Sequence, residues 1–148
     1  MKQSILFFYL LSLLTITLAS YQNNPKGEIK VVISNLRNSK GQLCLSLYNA
    51  ADGFPDNGSK AYHFACAPIQ ANKSEYTFAN LPYGMYAIAI FHDENADKIL
   101  NTNFLGIPKE GVAVSNNAKG FMGPPRFNDA KFQLNQPQQV LNLKMVYL

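Results

Sequence analysis

Apolar and polar positions along this chain alternate with the period of two that marks strands rather than helices. In Glu28–Ser34, Ile29, Val31 and Ile33 fall on one face and Lys30, Val32 and Ser34 on the other. Leu43, Leu45 and Leu47 repeat the pattern against Gln42, Cys44, Ser46 and Tyr48. The polar segment Asn35–Gly41 between them predicts a turn, so the two strands read as an antiparallel hairpin with the leucines facing the core. A weaker strand runs through Tyr62, Phe64 and Cys66 to about Pro68, and Ser74–Phe78 is another. Met85–His92 is apolar on both faces, as expected of a central strand covered on each side. Phe132 and Leu134 mark a short strand, and Leu141, Leu143, Met145 and Tyr147 alternate with Asn142 and Lys144 to close the chain. No helical period appears beyond the N-terminal apolar run.

Turn residues separate these strands. Ala51–Gly58 is rich in breakers, with Phe54 expected to tuck down as an anchor, and Asn80-Leu81-Pro82-Tyr83-Gly84 reads as a tight turn. From about Thr102 to Asn128 the chain holds four Gly before the paired prolines Pro124 and Pro125. Phe104, Leu105, Ile107, Val112, Val114, Phe121, Met122 and Phe127 in this stretch are too apolar for disorder, so an ordered loop packed over one end of the sheet is expected. The expected fold is all-β: an antiparallel immunoglobulin-like or prealbumin-like β-sandwich with one long ordered loop. Asn80–Ile88 also resembles the turn-and-strand signature of such secreted modules, whose strand tyrosine packs at a sandwich corner.

The N-terminus changes the compartment. Lys2, the apolar run Ile5–Leu18 and the small residues around Ala19 form a secretory signal peptide pattern over residues 1–19, leaving 20–148 as a single sandwich domain. The run is shorter than a membrane helix requires, so no integral membrane segment is expected after cleavage, and the destination is the periplasm or the exterior. No Cys follows it for lipid attachment. Processing removes one positive charge from the formal net charge of +4. The cations are scattered rather than clustered, which excludes a phosphate-tracking groove and any expectation of nucleic-acid binding. Cys44 and Cys66 are the two cysteines, and an even number in an oxidising compartment favours a disulfide, with two buried free thiols as the alternative.

The densest chemistry lies where the central strand ends. Asp93, Asn95 and Asp97 alternate and Asn101 follows, like the first part of a calcium loop. Calcium takes about six to eight oxygens, which alternate loop residues can turn onto one point. Weakly bound calcium is the one cofactor considered, with Asp93, Asn95, Asp97 and Asn101 as ligands; the alternative is that these side chains cap turns through their own backbone. His92, Asn103, Asn116, Asn117 and Arg126 are the expected binding surface. No catalytic residues are assigned. Adjacent strand residues point to opposite faces, so His92-Asp93 is not by itself an acid–base pair.

Five blocks carry a family resemblance: Leu81-Pro82-Tyr83-Gly84, Phe91–Asn95, Asn101–Glu110, Ser115–Ala118 and Gly123-Pro124-Pro125. In this order they resemble the bacterial domain-of-unknown-function 2141 family, which implies an exported β-sandwich without established activity. The family commonly reads Asp-x-Asn-Gly-Asn-Gly-Lys-Leu-Asp in the loop, whereas here the sixth position is Lys98 and the ninth Asn101. Phe104 stands where an EF-hand has its bidentate Glu. The functional expectation is a non-enzymatic binding or accessory module of the cell envelope, with an envelope protein or glycan as partner. The alternatives are a hydrolase-like enzyme using His92 and a purely structural envelope protein.

Overall fold

The structure is a computed structural model that describes residues 24–148; the signal peptide expected over residues 1–19 lies outside the described residues. Eight strands follow in order: β1 (Lys26–Ser34), β2 (Gln42–Tyr48), β3 (His63–Pro68), β4 (Ser74–Pro82), β5 (Gly84–Asp93), β6 (Val112–Val114), β7 (Phe132–Leu134) and β8 (Gln138–Lys144). They form a three-stranded sheet ordered β4-β1-β8 and a five-stranded sheet ordered β3-β2-β5-β6, with β7 also paired to β5. The fold is thus the expected β-sandwich. One pair, β1 with β8, is parallel.

Each sheet sends one row of side chains inward. Ile29, Val31 and Ile33 of β1 and Leu43, Leu45 and Leu47 of β2 are all fully buried, joined by Leu81, Ile88, Leu134, Leu143 and Met145. Each such side chain contributes about 1.5–3 kcal/mol through apolar burial. The β5 residues Ala87, Ile88, Ile90, His92 and Asp93 are buried on both of its faces, as its continuous apolar run predicts. Tyr86 Oη donates to the Pro82 carbonyl at 2.8 Å, fixing the corner at which the chain leaves one sheet for the other.

The β1–β2 hairpin does not form. β1 pairs with β4 and β8, whereas β2 pairs with β3 and β5, so the two strands lie in different sheets. Alternation fixes which face of a strand is buried, not which strand lies beside it. Asn35, at φ 66°, turns the chain out of β1 while its amide donates to the Met145 carbonyl at 2.8 Å, and Leu36 is buried behind it. The segment Asn35–Gly41 therefore crosses between sheets. Asn80 likewise sits inside β4 at φ 59°, where the register against β1 slips by one residue, a bulge rather than a turn.

The long loop is also interrupted. Val112–Val114 pairs antiparallel with Ala89–Phe91 of β5, and a single helical turn, α1 (Phe127–Ala130), follows. Ser115 Oγ, fully buried, donates to the Ala130 carbonyl at 2.7 Å and accepts the Ile88 N–H at 2.9 Å, tying α1 to β5. The intervening tips do not pack down: Phe104, Phe121 and Met122 are more than nine-tenths exposed. The side of β5 away from β2 offers N–H and C=O groups that the short Val-Ala-Val run pairs with, while the Gly- and Pro-containing flanks cannot continue a ladder.

Cys44 lies directly opposite Cys66 in the β2–β3 register, and the two form a disulfide. As the alternation implies, Cys44 faces away from the leucine row, and β3 as the neighbouring strand supplies its partner.

Candidate functional site

β5 ends in His92 and Asp93, both fully buried, on opposite faces of its sheet. His92 faces inward. Its Nε2 lies 2.8 Å from the Lys40 carbonyl, which can only accept, so Nε2 carries the proton and donates. Nδ1 is then the acceptor for the Tyr147 hydroxyl at 2.8 Å. Tyr147 Oη in turn accepts the Arg37 N–H at 3.1 Å, and the Arg37 guanidinium stacks over the Tyr147 ring at 4.6 Å. Gly111 makes this packing feasible, because a Cβ there would stand 2.5 Å from the Tyr147 ring.

Arg37 extends the network to Glu94. Its Nε and Nη2 lie 2.7 and 2.6 Å from Glu94 Oε1, and Asn38 donates to Oε2 at 3.3 Å. Burial alone would raise the Glu94 carboxyl, but the hydrogen bonds from Asn38 and Arg37, with the Arg37 charge, outweigh it and hold the group below the ordinary carboxylate range.

Asp93 faces the other way and organises the loop that follows. Oδ1 accepts the Asp97 N–H at 3.0 Å, and Oδ2 accepts the Lys98 N–H at 2.9 Å and the Gln42 amide at 2.7 Å. Cys44 Sγ lies 3.8 Å from Oδ2, but a disulfide sulfur has no hydrogen to donate, so this is packing. Asn95 Oδ1 accepts the Asp97 N–H at 3.2 Å, and Asp97 Oδ1 accepts the Ile99 N–H at 2.8 Å. The Asn95 and Asn101 amides converge on Asp97 Oδ2 at 2.7 and 3.1 Å. These bonds, with the Asn101 amide first and the Ile99 N–H next, draw the exposed Asp97 carboxyl below its ordinary value. Ala96 and Lys98 both occupy the left-handed region, at φ 60° and 63°.

Glu110 closes the loop from beneath. Buried to 5% exposure, its carboxylate accepts the Glu94 N–H at 3.0 Å and the Asn101 N–H at 2.8 Å, clamping the two ends of the loop together. No periodicity or motif marks Glu110, Tyr147 or Arg37 as members of this cluster. Its only trace in the sequence is the place of Glu110 at the end of the Asn101–Glu110 block.

The expected site residues therefore separate into three groups. Asp93, Asn95, Asp97 and Asn101 come together as one hydrogen-bonded loop. His92 is a correction: it was expected on the binding surface and is fully buried, because its position on β5 belongs to the inward row. The remaining four sit elsewhere. Asn103 Oδ1 accepts the Leu105 and Ile107 N–H groups at 2.9 and 3.0 Å, shaping a second turn. Asn116, at φ 61°, donates to the Asp129 and Lys131 carbonyls, and Asn117 accepts the Lys144 N–H, so both join α1 and β8 to the end of β6 away from Asp93. Arg126 is exposed at the start of α1.

As a calcium loop, the segment has an incomplete donor set. Every side-chain oxygen of Asp93, Asn95, Asp97 and Asn101 already accepts a hydrogen bond, and these four side chains alone do not make up the roughly six to eight ligands calcium takes without using both oxygens of each carboxylate. Among the described residues no three His, Cys, Asp or Glu side chains converge as metal ligands. Nor, among them, is any helix long and apolar enough to cross a membrane.

The profile of a family described as uncharacterized protein conserved in bacteria, DUF2141, matches residues 31–142, from within β1 to within β8. The chain belongs to the DUF2141 family. No curated protein and no solved structure matches it. The DUF2141 match takes in the whole Asp93–Asn101 loop and its Glu110 clamp. The two glycines of the loop pattern given above fall on Ala96 and Lys98, the two left-handed positions.

Proposed function

We propose that this chain is an exported, non-enzymatic binding or accessory module of the bacterial cell envelope. The observation that supports it is the disposition of its chemical groups. His92, Asp93 and Glu110, the natural acid–base candidates, are buried and have their polar atoms committed to structural hydrogen bonds. The exposed groups on the loops include apolar and amide side chains, and loops are the usual carriers of recognition. A His92 hydrolase is the less favoured reading, since a general base has to reach a substrate proton. The Cys44–Cys66 disulfide supports an oxidising destination.

The Asp93–Asn101 loop is proposed to take calcium weakly, through Asp97, Asn95 and Asn101, with Lys98 opposing it. When bound, the ion would only neutralise and stiffen the loop.

The test is thermal melting of the purified protein against soluble peptidoglycan fragments and envelope polysaccharides, with calorimetric titration of calcium in parallel. A rise in melting temperature with one glycan class is expected. Turnover of any of these by the parent, lost in His92→Ala but retained in a folded Asn101→Ala control, would instead establish the hydrolase reading.

A further inference from the structure

Beyond Asn101 the chain forms a small hairpin finger. Thr102 bridges to Pro108, Lys109 N–H donates to the Asn101 carbonyl at 2.9 Å, and Asn103 N–H donates to the Ile107 carbonyl at 2.8 Å. The tip between them, Phe104-Leu105-Gly106-Ile107, is apolar yet exposed: 94% for Phe104, 67% for Leu105 and 42% for Ile107. Such a cluster in water is unfavourable and marks a contact surface. We propose that this finger docks on an anionic lipid surface, placing Phe104, Leu105 and Ile107 in the interfacial layer.

Three observations favour lipid over a protein pocket. Phe104 to Pro108 contains no polar side chain, whereas protein interfaces mix apolar anchors with directed polar groups. The N–H groups of Leu105, Gly106 and Ile107 are already bonded to Asn103, so the tip can enter an apolar layer without stranding them. The exposed Lys98 and Lys109 flank the base of the finger with no acid between them in the chain, and the one exposed acid beside them, Asp97, is drawn into the Asn95 and Asn101 amides. An apolar tip with a lysine on either side of it in the chain complements anionic headgroups over a hydrocarbon boundary. The backbone is fixed in advance by Asn103, so the finger pays little ordering entropy on contact.

This proposal rests on the binding-module reading and names its partner as lipid. It is tested by sedimentation with vesicles of phosphatidylcholine alone and of equimolar phosphatidylcholine and phosphatidylglycerol. The proteins compared, all in the same processed form, are the parent, Phe104→Ser/Leu105→Ser/Ile107→Ser, and Lys98→Gln/Lys109→Gln. The expected result is binding to the anionic vesicles that falls about tenfold or more in the serine variant. The lysine variant is expected to lose most of the preference for anionic over neutral vesicles. Unchanged melting temperatures show that both variants fold, since the substituted side chains are exposed. Equal binding by parent and serine variant, no binding by the folded parent, or a parent dimer abolished by the serine substitutions overturns the lipid proposal. A glycan that still raises the melting temperature in that case leaves the binding-module reading standing.

Discussion

The Tyr147 hydroxyl donates to His92 Nδ1 across 2.8 Å, joining the second-last residue of the chain to the end of its central strand. Removing that hydroxyl strands a buried imidazole nitrogen and also takes the acceptor from the Arg37 N–H. Tyr147→Phe is therefore expected to cost about 1–3 kcal/mol in urea denaturation, more than an exposed tyrosine would. His92→Ala, which loses both bonds and leaves a cavity, should cost more.

Glu110 offers a sharper test, because one carboxylate satisfies two backbone donors at separate points of a loop. Glu110→Ala is expected to destabilise by about 2–3 kcal/mol, the loss of charge-assisted bonds to two half-buried N–H groups. Amide hydrogen exchange should show the Glu94 and Asn101 N–H groups losing protection together. Protection lost at only one of them would refute the clamp.

Ala96 and Lys98 hold left-handed backbone at a steric cost that glycine lacks. Lys98→Gly is expected to stabilise the protein by about 0.5–1 kcal/mol, with Ala96→Gly similar and the pair less than additive within one turn. Lys98→Gly also removes a cation from the proposed calcium position, so calorimetry should find calcium bound more tightly than by the parent.

Stability should fall at both extremes of pH. Folding lowers the Glu94 carboxyl below its ordinary 4.5, so its contribution is complete above that value and is lost as pH falls through the lower folded one. Glu94→Gln should flatten that acid limb. Tyr147 is the opposite case: burial, chiefly, raises its hydroxyl above the ordinary 10.0, with the Arg37 N–H acting against and the Glu94 charge with it. Its contribution is present below that value and lost as pH rises through the folded one. Urea midpoints taken across both limbs, in parent and variants, check the two signs.

Reduction of Cys44–Cys66 should cost about 3 kcal/mol, since the bridge closes a loop spanning 22 residues. A Cys44→Ala/Cys66→Ala variant measured without reductant checks the figure.

What was legible in the residues was whatever depends on local pattern. The leucines of β2, the inward row of β1 and the two-sided burial of β5 follow from period and strand propensity, and so does the direction of Cys44; the Tyr86 corner came from the resemblance of Asn80–Ile88 to secreted sandwich modules. The clustering of Asp93, Asn95, Asp97 and Asn101 follows from their spacing. Pairing across long separations leaves no such mark, so β1 was joined to the wrong partner and β6 was read as loop. Burial of His92 escaped for a related reason. Its covering groups, Tyr147 and the Lys40 carbonyl, come from segments that only the tertiary fold brings near. Glu110 is the clearest instance, because a carboxylate that serves two backbone donors looks in sequence like any other acid.

The parallel pairing of β1 with β8 has a consequence for biosynthesis. Glu28 meets Gln138, a partner 110 residues downstream, so the first of the described strands is completed by the last of them. Closing so long a loop before any contact rewards it makes assembly slow, and it ties folding to the arrival of β8. A chain that stops short of Gln138 keeps one edge of β1 open, its N–H and C=O groups free to pair with another molecule. Premature termination should thus yield an aggregating fragment rather than a smaller sandwich.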